Sequence, residues 1–223
     1  MNMASVKKLI VKDLDLQKKM IAAYVAAGIL GLAIFSYPHV YAFYIGALIL
    51  LTVMVALGCH TIVTTVIMEK KEQVMPFIIT LPLSPLEFYF AKLIANLVLI
   101  MTFWTVFVAA VTFVIFSTHI PNGLFPFLFL VCCFVLVNYS VVLCVAMLTE
   151  SEGWSIFSMV IVNLMINPFI MWLAQNPRVY QHFDSAVMVW TPFETTTLLA
   201  LLAFSAGTVV FTLLKLSVKR SFI

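Results

Sequence analysis

Met68–Lys92, MEKKEQVMPFIITLPLSPLEFYFAK, is the only long interior stretch that mixes charge, proline and apolar residues between two membrane-length hydrophobic runs. Glu69, Lys70, Lys71 and Glu72 carry the preceding helix into water. Pro76 removes a backbone donor and bends or ends that helix. Pro82 repeats the interruption ahead of a helix-start signal, Ser84-Pro85-Leu86-Glu87. Ser84 can accept from the first free amides, Pro85 sits at the first helical position where a missing N–H costs nothing, and Glu87 can reach back. The expectation is a broken amphipathic hairpin over 69–92 at the membrane surface, an element suited to docking a partner.

Composition sets the class. Of 223 residues, 64% are hydrophobic and 9% are charged, against roughly 25% charged in a soluble domain. Such a chain is solvated by lipid. Cys59, Cys132, Cys133 and Cys144 all fall inside apolar runs without metal-ligand spacing, so they read as small packing residues. The lysine-rich, amphipathic start has no small-residue cleavage site behind a short apolar core, and no cleavable leader is expected.

At about 100° per residue, Met3, Val6, Leu9, Ile10, Leu14, Leu16 and Met20 share one arc of a helix. Lys7, Lys8, Lys12, Asp15, Lys18 and Lys19 take the other side, and Asp13 intrudes on the apolar arc. Residues 1–20 are therefore expected as a cytoplasmic interfacial helix with its lysines toward anionic headgroups. Six apolar runs follow, near 21–37, 40–68, 86–117, 124–148, 154–174 and 195–217. A span takes about 20 helical residues, so residues 21–223 read as one six-span domain. Gly28 and Gly31 in the first run are small enough for close helix contact. In the fifth run, Asn163 and Asn167 stand four apart on one helix face and Pro168 breaks the ladder. Phe169–Trp190, half apolar and rich in aromatics, reads as a re-entrant outer segment before the last span. The expected fold is thus an all-α integral membrane protein of six transmembrane helices, an interfacial N-terminal helix and a re-entrant segment.

Placing the N-terminus inside puts eleven of the 12 basic residues on one side: Lys7, Lys8, Lys12, Lys18, Lys19, Lys70, Lys71, Lys92, Lys215, Lys219 and Arg220. Only Arg178 lies opposite. By the positive-inside rule both termini are expected in the cytoplasm. Ser36–Tyr41, Thr118–Gly123 and Gln175–Glu194 are then outer loops.

Glu69 with its charged run, Leu81-Pro82-Leu83-Ser84 and Glu87–Lys92 resemble the coupling segment of type-2 ATP-binding-cassette exporter permeases. Trp190-Thr191-Pro192-Phe193 also resembles a sequence common in that family. The resemblance is strongest over these positions and extends loosely, through span count and loop placement, along the chain. It implies a permease subunit of a bacterial plasma membrane, with cytoplasmic ATPase subunits and a second permease subunit as partners. ATP and magnesium would belong to the ATPase, and this chain would carry no cofactor and bind no nucleic acid. It implies coupling through Glu69, Lys70, Lys71, Glu72, Ser84 and Glu87. Glu150 and Glu152, in an acidic inner turn, are candidates for a second contact with the ATPase.

The chain contains no G-x-x-x-x-G-K-[ST], no G-x-S-x-G and no H-E-x-x-H, and its scattered histidines form no nucleophile–base set. An intramembrane enzyme is disfavoured. His60 sits mid-run, where a protonatable side chain marks a functional candidate or an interhelical hydrogen bond. With Asn163 and Asn167 it is a candidate for the transport pathway. An ATP-independent channel or secondary transporter would show mid-membrane charge or inverted repeats, and neither is evident. A membrane scaffold subunit would look much the same in sequence.

Overall fold

The computed structural model describes residues 3–68, 85–149 and 151–218. They form helices α1 (Met3–Phe35), α2 (Val40–Ile62), α3 (Pro85–Ser117), α4 (Phe125–Thr149), α5 (Glu152–Leu164), α6 (Ile166–Ala174), α7 (Pro177–Tyr180) and α8 (Pro192–Val218). A π-turn, Val63–Ile67, prolongs α2, and no strand occurs among the described residues. Among the described residues six segments are long and apolar enough to cross a membrane, the fifth being α5 and α6 together. The architecture is that of an integral membrane protein, and each of the six runs read from the sequence falls on one of these segments, the first of which begins earlier, at Lys7.

The expected 1–20 interfacial helix and the first span are a single unbroken helix. The 33 residues of α1 extend about 50 Å at ~1.5 Å per residue, well beyond the ~30 Å hydrocarbon core. The part of α1 leading into the apolar run is held by the bundle, because Leu9, Leu14, Met20 and Ile21 pack against the core formed by α2, α3 and α4.

α4 is the centre of the bundle. It is buried along most of its length and touches α2, α3, α5, α6 and α8. The outer helices are apolar nearly all round, as helices facing lipid should be; α8 buries only Glu194, Thr212 and Leu216. One core cluster joins Leu57, Ile62, Phe88, Leu93, Tyr139, Leu143, Met147 and Leu216 at the end of the bundle where α1 begins. A second joins Phe35, Leu50, Met54, Phe107, Ile115 and Ile120 toward the opposite end.

Between α1 and α2, glycines set two close approaches. A Cβ on Gly46 would lie 2.4 Å from Phe35 N and 2.5 Å from Phe35 Cα, so the α1–α2 hairpin closes backbone to backbone. A Cβ on Gly31 would meet Leu50 Cδ2 at 2.9 Å, whereas Gly28, the other glycine expected at a helix contact, faces open space.

Pro168 acts differently from expectation. It leaves the carbonyl of Leu164 without its helical donor, and the irregularity falls just there, with Met165 N shared between Ile161 O (3.3 Å) and Val162 O (3.2 Å). The helix then resumes, since Phe169 N reaches Met165 O at 3.1 Å. Phe169–Ala174, expected to open a re-entrant element, is helical and continues α5 into a segment long and apolar enough to cross a membrane. Residues 175–191 fold back over that end of the bundle, where Gly123 N donates to Ser185 O (2.9 Å) and Asn122 Nδ2 to Ala186 O (3.0 Å).

Candidate functional site

Glu69, Lys70, Lys71, Glu72, Ser84 and Glu150 lie outside the described residues. Of the hairpin, the part from Pro85 onward is described. It is the first turns of α3, with Pro85 opening the helix and Glu87 in its first turn as expected. Glu87 is buried, whereas Glu152, in the first turn of α5, is exposed.

The first turns of α3 face α1. Lys92 Nζ meets Asp13 Oδ2 at 2.7 Å, with 3% of each side chain exposed. Asp13 is the residue that breaks the apolar arc of α1; it points inward because a cation from α3 waits there. Lys92 also lies 5.7 Å from the centre of the Phe88 ring. One turn along α1 from Asp13, Gln17 is buried, and its Oε1 has no hydrogen-bond partner among the described residues.

The polar assembly continues up α3. Asn96 Nδ2 donates to Lys92 O (2.9 Å) and to Thr65 Oγ1 (2.8 Å), and Thr65 Oγ1 donates to Thr61 O (2.6 Å). Tyr139 of α4 reaches Asn96 with its hydroxyl, 3.2 Å from the carbonyl and 3.3 Å from Oδ1. Gly58 makes room for that reach, because a Cβ there would stand 3.0 Å from Tyr139 Cδ2. Asn96, Thr65 and Tyr139 are all buried. Buried polar groups of this kind define one arrangement only when every member is satisfied. Here Asp13, Lys92, Asn96, Thr65 and Tyr139 tie four helices together beside the ends of α2 and α3 that flank 69–84.

The three pathway candidates do not converge. His60 is exposed on the α1–α2 side, with Nδ1 3.2 Å from Tyr24 Oη. Asn163 faces inward and its Nδ2 donates to Cys59 Sγ at 3.4 Å. Asn167 is exposed beyond the irregular turn at Met165, so the expected common face with Asn163 is not kept. Asn163 does line a crevice of about 370 Å³, open mouth included, with Gly58, Cys59, Trp104, Asn138 and Tyr139. Asn138, buried at its wall, donates to Val162 O at 3.1 Å.

At the opposite end, Thr191-Pro192-Phe193-Glu194 makes the capping box that Ser84-Pro85-Leu86-Glu87 spells at the start of α3. Thr191 N and Oγ1 both donate to Glu194 Oε2 (2.7 and 2.9 Å), and Glu194 N donates back to Thr191 Oγ1 (3.3 Å). Glu194 is 2% exposed. Its role was readable from the spacing alone. Gln17, Asn96, Thr65 and Tyr139 had no such signal, since the partners that give each its role lie on other helices or, for Gln17, on none of the described residues. Among the described residues no group of three metal-ligating side chains comes together. Comparison with protein-family models, curated proteins and solved structures returned no match for the chain.

Proposed function

We propose that the chain is the transmembrane permease subunit of an ATP-binding-cassette exporter, coupling ATP hydrolysis on separate cytoplasmic subunits to movement of a substrate. The sequence support is the Glu69–Lys92 resemblance, the basic asymmetry and the lack of any phosphate-binding loop. The observation that carries the reading is the buried Lys92–Asp13 pair at 2.7 Å, at the root of the helix that leaves the proposed coupling segment. A push on that segment reaches α3 at its first turns. The ion pair passes it to α1, and Asn96 passes it to α2 and α4. A lever transmits force only if its root cannot slip, and removing one member of a buried pair costs about 3–5 kcal/mol.

In this reading both termini and 69–84 are cytoplasmic, and the lysine face of α1 rests on the inner headgroups. A second permease subunit completes the pathway. ATP and magnesium stay on the ATPase, and this chain performs no chemistry itself.

The test is co-purification with the ATPase in mild detergent, followed by turnover in reconstituted vesicles. Glu72→Ala with Ser84→Ala should leave the chain inserted but lower ATPase association or substrate-stimulated hydrolysis. Gln175→Ala with Gln181→Ala, at the opposite end, should change neither. An inner pair indistinguishable from wild type in both assays would remove the main support for this function.

A further inference from the structure

The end of α2 holds a second feature, which stands independently of any ATPase. Val63 N donates to Cys59 O and His60 O, as in ordinary helix, but Met68 N donates to Val63 O, five residues back. Residues 63–67 are thus a π-turn, which accommodates one residue more than an α-turn. If the same residues took α geometry, everything beyond would rotate by about 100° and advance ~1.5 Å. Nothing local forbids that. Val63, Thr64, Thr65, Val66 and Ile67 contain neither proline nor glycine, and π-helix is the rarer form.

Contacts from outside α2 hold the rarer form. Thr65 Oγ1 is gripped between Thr61 O (2.6 Å) and Asn96 Nδ2 (2.8 Å), while Tyr139 braces Asn96 from α4. On the other side of the turn, Thr64 Oγ1 donates to His60 O at 2.9 Å, and the His60 ring is held by Tyr24 of α1. Threonine hydroxyls bonded to carbonyls one turn back bend a helix, and here two consecutive threonines do so. Rotation to the α register would carry Thr65 away from Asn96 and leave a buried amide donor unmatched. A difference of one hydrogen bond is small enough for a displacement of α3, which carries Asn96, to reverse the preference.

We propose that Val63–Ile67 is a two-register hinge: Thr65, Asn96 and Tyr139 hold its π form, and loosening that grip lets it pass to α-helix, turning the exit of α2 at Met68. The helix radius with side chains is about 5–6 Å, so the swing moves a label at position 68 by up to about 8 Å.

The experiment uses the full chain in lipid nanodiscs, with Cys59, Cys132, Cys133 and Cys144 replaced by alanine and spin labels at Met68→Cys and Leu214→Cys. Both labelled positions are exposed, and Leu214 lies on α8, outside the grip. Wild type should give one dominant distance. Thr65→Val and Asn96→Leu should each add a second population displaced by several ångströms. Thr52→Val, which removes only an exposed bond to Leu48 O, should add none. Deleting Val66 removes the extra residue and should leave a single narrow population. Wild-type distributions in both Thr65→Val and Asn96→Leu would overturn the hinge. If neither variant inserts, hydrogen exchange on the unaltered chain decides. Amides of 64–68 should exchange at least tenfold faster than those of 54–58, and equal protection would overturn the proposal. Because neither readout involves ATP, the hinge and the permease assignment can fail separately.

Discussion

Lys92 and Asp13 are separated by 79 positions, yet their side chains meet at 2.7 Å with 3% of each exposed. A buried ammonium left without its carboxylate is far more costly than a buried pair. Asp13→Asn or Lys92→Met alone should therefore destabilise the detergent-solubilised protein by about 3–5 kcal/mol. The double variant, which removes both charges of this pair, should recover at least half of that. Thermal melting followed by size-exclusion chromatography reads all three. A double variant as unstable as the sum of the singles would mean the two side chains act independently.

The α1–α2 hairpin offers a steric test. Gly46→Ala would place a methyl 2.4 Å from the backbone of Phe35, and the obstacle is main chain rather than a side chain that can swing away. Overpacking of this kind costs about 1–3 kcal/mol or more. Gly207→Ala meets nothing within 4 Å, and in a helix interior it should gain up to about 1 kcal/mol. The melting temperatures of the two variants should move in opposite directions. A neutral Gly46→Ala would show that the hairpin opens without loss.

What the sequence disclosed and what it hid divide along a physical line. Each span appears as a local run of apolar residues, so the spans and their approximate limits were legible. Pairing was not. Asp13 looked like a flaw in a periodic arc because the lysine that explains it belongs to another helix. Lys92 counted as one more inner positive charge although it is almost fully buried. Pro168 announced an interruption, but a helix already packed through Phe169, Ile170 and Leu173 resumes beyond it. The π-turn left only Thr61, Thr64 and Thr65 as a trace, a cluster with no meaning until their carbonyl partners are seen.

The capping box before α8 should separate charge from hydrogen bonding. Thr191→Ala removes one of its acceptors and should cost about 1 kcal/mol. Glu194→Gln retains an acceptor for Thr191 N and should cost less than Glu194→Ala, which leaves two donors without a partner. The order wild type, Gln, Ala in melting temperature is the expected result. Equal losses for Gln and Ala would point to the charge of Glu194 rather than its hydrogen bonds.

The last prediction concerns where the fifth span ends. If Ile166–Ala174 completes a membrane-crossing helix, single cysteines at Met171 and Trp172, both exposed on the isolated chain, face lipid and should resist a charged maleimide. Cysteines at Gln175, Arg178, Gln181 and Asp184, on the folded-back segment, should react. With that segment outside, labelling in intact cells modifies these four positions but not a cysteine at Lys71. The basic residues make the orientation testable in the same experiment, because eleven of the 12 fall on the side expected to stay protected. Reaction at 171 and 172 together with 175–184 would return the segment to a water-exposed, re-entrant path. Reaction at 71 with protection at 178 would invert the chain, and with it the surface on which any ATPase could dock.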